Sequence, residues 1–191
     1  MATGFEGKKV IVIGGSAGMG RQAALDVVQA GGSAVVVGRD TTRVRETQDA
    51  LSAHGKVYGL TAELTDRDAV STLQNQLADE HADATLLLNA AGFFVPKGFL
   101  DYNADFYDSY LSLNYALFFL TQTVTRGMIT HGSGSIVFAA GAVFFSVTVP
   151  AMSAASVANN AWIRAPNSAR RRSAPLGAIS VTPAGKPSWR R

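Results

Sequence analysis

Short apolar runs alternate along this chain with longer stretches in which apolar residues return every three or four positions. Lys9–Ile13, Ala34–Val37, Val57–Thr61, Thr85–Asn89 and Ser135–Ala139 are β-rich runs, several of them apolar throughout, the pattern of strands covered on both faces. Between them Met19–Ala30, Thr42–Ala53 and Asp66–Asp79 have helical spacing, clearest in Val70, Leu73 and Leu77. Asn103 is placed to cap a longer helix reaching roughly Thr130. Thr65 and Asp68 have the spacing of a capping box, and Gly31 and Gly55 fall where helix C-caps belong. Strands that alternate with helices in this way predict a doubly wound parallel α/β sheet.

Composition narrows the chemistry. The chain has 191 residues, 47% hydrophobic and 16% charged, enough for one domain with a sizeable core. It contains no cysteine, which excludes disulfides, thiolate metal sites and cysteine nucleophiles. MATGFEGKKV lacks the form of a signal peptide, and no apolar run reaches the roughly 18 residues of a membrane span; a cytoplasmic protein without membrane contact is expected. His54, His81 and His131 precede Gly55, Ala82 and Gly132 near predicted helix ends, where surface or dipole-facing histidines are expected, and no two have metal-ligand spacing. No metal site is predicted.

The net charge of +3 hides an asymmetry: all fourteen acidic residues lie at or before Asp108, against nine Lys and Arg, while residues 109–191 carry eight positive charges and no acid. A break of this kind divides the chain into two regimes.

GGSAGMG, residues 14–20, stands between the first predicted strand and the first predicted helix, the position of the nucleotide crevice in a doubly wound sheet. Gly14 would allow the tight turn, Gly18 the approach of backbone to a pyrophosphate, and Gly20 the close packing of helix on sheet. The helix N-terminus would offer free N–H groups and partial positive charge to the phosphates.

With its Gly-x-x-x-Gly-x-Gly spacing, NAAG at 89–92, Asn114 in the long helix and GSGSIV at 132–137, the chain resembles a short-chain dehydrogenase/reductase over roughly residues 6–160. The resemblance implies a Rossmann-type dinucleotide-binding domain over 1–160, followed by a basic, mobile C-terminal segment over 161–191. Ile13 replaces the threonine that usually precedes the first glycine, and Ala90 the second asparagine of the family's NNAG. By this resemblance Ser16 and Met19 complete the cofactor loop, Glu63 and Leu64 flank the adenine, and Asn89, Ala90 and Gly92 pass beside the adenosine ribose. The second strand ends in VVVGRD. Gly38 supplies no carboxylate for the ribose hydroxyls of NAD, and Arg39 has a guanidinium suited to a 2′-phosphate, so NADP is the expected cofactor and NAD the lesser alternative. Arg39 could equally be a solvated surface charge.

The resemblance also shows what is lacking. The family's AYSAAK aligns with Ala151–Ser156, putting Met152 at the proton-donating tyrosine and Ser156 at the lysine, while Gly141 takes the place of the catalytic serine. A thioether has no proton to give, and a serine hydroxyl has no charge to stabilise a phenolate. No Tyr-x-x-x-Lys exists anywhere: the residues four beyond the five tyrosines are Ala62, Phe106, Leu111, Asn114 and Phe119. Asn114 is the one remnant of the tetrad, and an asparagine in a helix is otherwise a buried hydrogen-bonding residue.

In the C-terminal segment Pro166 breaks any helix that follows Trp162, and Arg170–Arg172 interrupts an apolar face. APLGAISVTPAG is similar to the family's sixth strand, which implies a strand near Ala178–Thr182 and about six strands in the sheet; after it relatives carry a substrate-covering region. Three readings follow: an NADP(H)-binding oxidoreductase relative of impaired chemistry and unknown small-molecule substrate; a non-catalytic nucleotide-binding or regulatory protein; and, ranked last, a basic tail that contacts nucleic acid. The family's habit of pairing through the Asn114 helix makes a homodimer the expected assembly.

Overall fold

The computed structural model describes residues 4–93, 99–139 and 178–181. Five strands and four helices alternate as β1 (Lys9–Ile13), α1 (Gly18–Gln29), β2 (Ser33–Gly38), α2 (Thr41–Ser52), β3 (Val57–Thr61), α3 (Arg67–Glu80), β4 (Leu86–Asn89), α4 (Ala104–Thr130) and β5 (Gly134–Phe138), with β6 at Ala178–Val181. The sheet order is β3-β2-β1-β4-β5-β6. Neighbours from β3 through β5 are all parallel, as expected for a doubly wound sheet.

β6 joins the sheet where expected but departs from the parallel pattern: it pairs antiparallel with β5, Gly134 opposite Val181 and Val137 opposite Ala178. Strand direction follows from the end of the sheet to which the connection delivers the chain. Here the chain re-enters beside the C-terminal end of β5, and an antiparallel edge strand on a parallel sheet results.

The period-two alternation of side chains divides the core into two layers. Val10, Val12, Ala34 and Val36 face Ala24, Val27, Val28 of α1 and Leu51 of α2. Ile11, Ile13, Val35, Val37, Leu87 and Ile136 face Val70, Leu73 and Leu77 of α3 and Leu113, Leu117, Leu120 and Val124 of α4. Each such aliphatic side chain contributes about 1.5–3 kcal/mol on burial, which is why the strands read as continuous apolar runs.

Two of the expected helix-end features are replaced by others. Thr65 does not cap α3; Asp66 does, its Oδ1 accepting from the N–H groups of Asp68 and Ala69, because a carboxylate one residue nearer reaches both free donors. Gly31 has the left-handed φ of +88° expected after α1, whereas Gly55 has no such conformation: a Cβ there would lie 2.8 Å from Val28 Cγ1. Packing against α1, and not a helix cap, requires that glycine.

His81 differs more sharply from expectation. It is the C-cap of α3 but only 3% exposed, its ring tilted on Tyr58 at 4.8 Å between centroids and its Nδ1 without a hydrogen-bond partner. Lys9 Nζ pairs with Asp83 at 2.5 Å and lies over the Tyr58 ring, as Lys56 Nζ does. Burial, reinforced by the Lys9 charge, lowers the His81 pKa. Asp83 is pushed up by partial burial but pulled down further by the Lys9 hydrogen bond and charge, so its pKa also falls. In both cases the unfolded chain binds more protons, and stability rises with pH. Urea unfolding is expected to show full stability above about pH 6.5, a decline as pH falls toward the lowered His81 pKa, and a further loss below about pH 3.8 from Asp83. His81→Gln should abolish the upper step, leaving the acid one.

Candidate functional site

β1 pairs with β2 on one side and β4 on the other, so the chain diverges at the C-terminal end of β1 and opens a crevice there. Residues 14–20 line it. Gly14 has φ +83°, and a Cβ on it would lie 2.5 Å from Ala91 N and 2.7 Å from Ala90 C. The glycine turn therefore lies directly against the backbone of NAAG, whose Ala90 N–H donates to Ile13 O at 2.7 Å. A Cβ on Gly20 would overlap the Gly14 carbonyl oxygen, so the third glycine lets α1 close onto the turn. Gly18 differs: its φ is +53°, yet nothing lies within 4 Å of its Cβ position. Space is left on the side of Gly18 where a ligand would approach.

The start of α1 keeps its donors free. Ala17 is the N-cap and provides no side-chain hydrogen bond, so the first helical N–H groups, at Gly18, Met19 and Gly20, have no capping oxygen. Met19 is 73% exposed beside them. An uncapped N-terminus above an open glycine is suited to an anion.

At the end of β2, Ser16 occupies the space that a side chain on Gly38 would need: a Cβ there would lie 2.5 Å from Ser16 Oγ and 2.8 Å from Val44 Cγ2. Ser16 is held in place by Thr47 Oγ1, which donates to its carbonyl at 3.1 Å. A side chain at position 38 would require Ser16 and Val44 to shift. Asp40, two residues on, uses its carboxylate to cap α2 through Arg43 N–H at 2.9 Å. Arg39 between them is exposed and has no ion-pair partner among the described residues.

The remaining site residues fall into four groups. Ala90 and Gly92 follow β4 at the crevice, Gly92 exposed, with no described atom within 4 Å of where a Cβ on it would lie. Leu64 packs against the α3–α4 core layer, while Glu63 is exposed and turns Oε1 to the N–H and hydroxyl of Thr65, at 3.1 and 2.8 Å. Asn114 sits on the flank of α4, half-buried, one position beyond the inward-facing Leu113. Gly141, Met152 and Ser156 lie outside the described residues.

One site contact has no signal in the sequence. Asn89, 2% exposed at the end of β4, donates from Nδ2 to Thr121 Oγ1 of α4 at 2.9 Å. Thr121 lies 32 residues away and reads in the sequence as an ordinary helix-flank threonine.

No described helix is long and apolar enough to cross a membrane, and no cluster of potential metal ligands occurs among the described residues.

A doubly wound sheet with an open glycine turn, an uncapped helix N-terminus and a basic residue after β2 defines a dinucleotide-binding class of fold. The family model for short chain dehydrogenases matches residues 8–181, and the chain belongs to that family. The Bacillus subtilis (strain 168) oxidoreductase YvrD is 32% identical over 107 residues, 56% of this chain and 40% of that protein. Dehydrogenase/reductase SDR family member 7B of Danio rerio is 26% identical over 167 residues, covering 82% of this chain and 53% of its own length. Among solved structures, a short-chain dehydrogenase from Sphingobium yanoikuyae in complex with NADPH superposes with a TM-score of 0.64 at 27% identity, over 69% of this chain and 52% of that one. The chain spans about half the length of the curated relatives it matches.

Proposed function

We propose that this chain binds NADP(H) in the β1–α1 crevice and that its hydride-transfer chemistry is impaired. The observation that carries the reading is the crevice itself: the turn at Gly14 is closed down onto Ala90 and Ala91, yet the space at Gly18 is open. Gly18, Met19 and Gly20 would hold the pyrophosphate by their backbone N–H groups, Ser16 and Arg39 would meet the 2′-phosphate, and Ala90 and Gly92 would border the adenosine ribose. Glu63 and Leu64 would flank the adenine. The bound cofactor would supply a hydride-transferring nicotinamide. The lack of a carboxylate at Gly38 and the guanidinium of Arg39 beside it favour NADP over NAD, as does the NADPH bound to the Sphingobium relative.

The impairment follows from residue chemistry. By resemblance Met152, Ser156 and Gly141 stand at the positions of proton donor, cation and polarising hydroxyl. Met152 and Gly141 have no side-chain proton to give, and the Ser156 hydroxyl has no charge with which to lower a proton donor's pKa. Asn114 alone persists, and its amide is a hydrogen-bonding group with no titratable proton. The non-catalytic nucleotide-binding role is favoured by the same observation, a cradle kept while the chemistry around it is not. A homodimer through α4 fits the exposed Tyr107, Leu111, Phe118 and Ile129 of that helix, which carries no charge from Ser109 to Thr125.

Calorimetric titration with NADPH and NADH tests the binding. NADPH is expected to bind more tightly, and Arg39→Ala to weaken it by about 1–3 kcal/mol, the range of a charge-assisted hydrogen bond, with little change for NADH. Equal affinity for both cofactors, or none for either, would end the NADP reading.

A further inference from the structure

We propose that Thr121 is a positioning residue for the nucleotide crevice, acting through Asn89 on the end of β4 that packs against the Gly14 turn. The inference rests on the reading of that crevice as a nucleotide site. It starts from the three connections that meet at Asn89. The side-chain amide donates to Thr121 Oγ1 at 2.9 Å. The backbone carbonyl accepts from Ala139 N–H at 2.8 Å, tying β4 to the residue after β5. The chain then passes directly into Ala90 and Ala91, the backbone against which Gly14 is closed.

Asn89 is held by few side-chain bonds, which gives the one to Thr121 its weight. Its Oδ1 is buried and has no hydrogen-bond partner. In the β1–β4 register Asn89 is opposite Ile13, and Ile13 belongs to the α3–α4 core layer; by the pleat, Asn89 shares that face. The neighbour across the ladder thus offers an aliphatic side chain with no donor. The hydroxyl of Thr121 is therefore the side-chain anchor of a buried amide among the described residues, and removing it leaves both ends of that amide unsatisfied. Thr121 in turn accepts at its carbonyl from Thr125 Oγ1 at 2.7 Å, within a helix anchored by buried Leu117, Leu120 and Val124. Helix α4 is the fixed body, and the end of β4 is the part it holds.

Asn114 lies seven residues before Thr121 on the same flank of α4, about 10 Å along the axis at 1.5 Å per residue. Since α4 leads from the C-terminal end of β4 back to the start of β5, Asn114 is displaced toward the crevice end of the sheet. The flank that anchors Asn89 is the one that carries the tetrad remnant.

Thr121→Val keeps shape and removes the acceptor, Thr121→Ser restores it, and Thr121→Ala is the alternative should the valine variant fail to fold. Hydrogen exchange on the cofactor-free protein, under conditions where every variant is fully folded, reads the positioning directly. The valine variant is expected to speed exchange at Ala90 and Ala139 about tenfold relative to Val12 and Val36, and the serine variant to return it. NADPH affinity should fall about tenfold with valine and recover with serine. Uniform acceleration of all four amides, or unchanged exchange at Ala90 and Ala139, would overturn the proposal by reducing Thr121 to a stability residue or to none. If the unmodified chain binds no NADPH, the reading of the crevice fails, while the exchange pattern still decides whether Thr121 positions the β4 end.

Discussion

The purified chain, given NADPH and a panel of ketones, aldehydes and quinones, is expected to oxidise the cofactor at no detectable rate even while it binds it. A positioned general acid contributes roughly 10²–10⁴-fold. By resemblance the position that would carry one holds Met152, whose thioether has no ionisable proton. The family's lysine both lowers the tyrosine's pKa and holds the nicotinamide ribose, and Ser156 does neither. No lysine stands near Ser156 in the chain, since Lys186 is the one lysine after Lys97. The loss is compound: without a donor the developing alkoxide is not protonated, and without the cation the nicotinamide end is less well oriented. Met152→Tyr, Ser156→Lys and Gly141→Ser together return the three groups, and any turnover they restore measures the chemistry those positions lack. Robust turnover by the unmodified chain would refute the impaired reading and require another proton donor.

Gly14→Ala is expected to produce the largest loss of stability of any single substitution in the crevice. Two costs coincide there. A φ of +83° is strained for alanine, and the new methyl would meet Ala90 and Ala91 backbone at 2.5–2.7 Å, which cannot swing aside as a side chain could. Each effect costs about 1–3 kcal/mol, against about 5–15 kcal/mol for a whole domain. Gly18→Ala provides the control: its φ of +53° is also strained, but no atom lies within 4 Å, so its cost to folding should be about 1–2 kcal/mol. Urea midpoints are expected to rank wild type, then Gly18→Ala, then Gly14→Ala. NADPH affinity should fall for Gly18→Ala although the fold persists, because the methyl projects into the space assigned to the pyrophosphate. A Gly14→Ala protein as stable as the Gly18→Ala one would show that the turn is not closed against NAAG.

Sheet and helices were legible in the sequence because each depends on local periodicity. The runs from Lys9 to Phe138 declare strands since both faces of the sheet are covered, and the stripe Val70, Leu73, Leu77 declares α3 because one helix face is buried. GGSAGMG was legible for a similar reason: strand, glycine turn and helix adjoin in the chain. Three of its four glycines, Gly14, Gly18 and Gly20, have distinct geometric reasons in the structure: a closed turn, an open approach and a close helix contact.

What the sequence did not reveal is set by residues far apart along it. Gly55 reads as a helix cap, and its actual constraint is Val28 of another helix. His81 reads as a surface histidine at a helix end, but Tyr58 and Lys9 arrive from two different strands to cover it. Gly38 reads as the absence of a carboxylate, and the structure adds that Ser16 and Val44 pack over the space its side chain would take.

The sequence alone determined the order of elements, the place of the crevice, the basic residue after β2 and the absence of a Tyr-x-x-x-Lys pair, because each is a property of residue type at short spacing. Only the tertiary structure decided the antiparallel direction of β6, the burial of His81 and the anchoring of Asn89 by Thr121. Those depend on which end of the sheet a connection reaches and which side chains converge across the core, and chain separation carries no record of either.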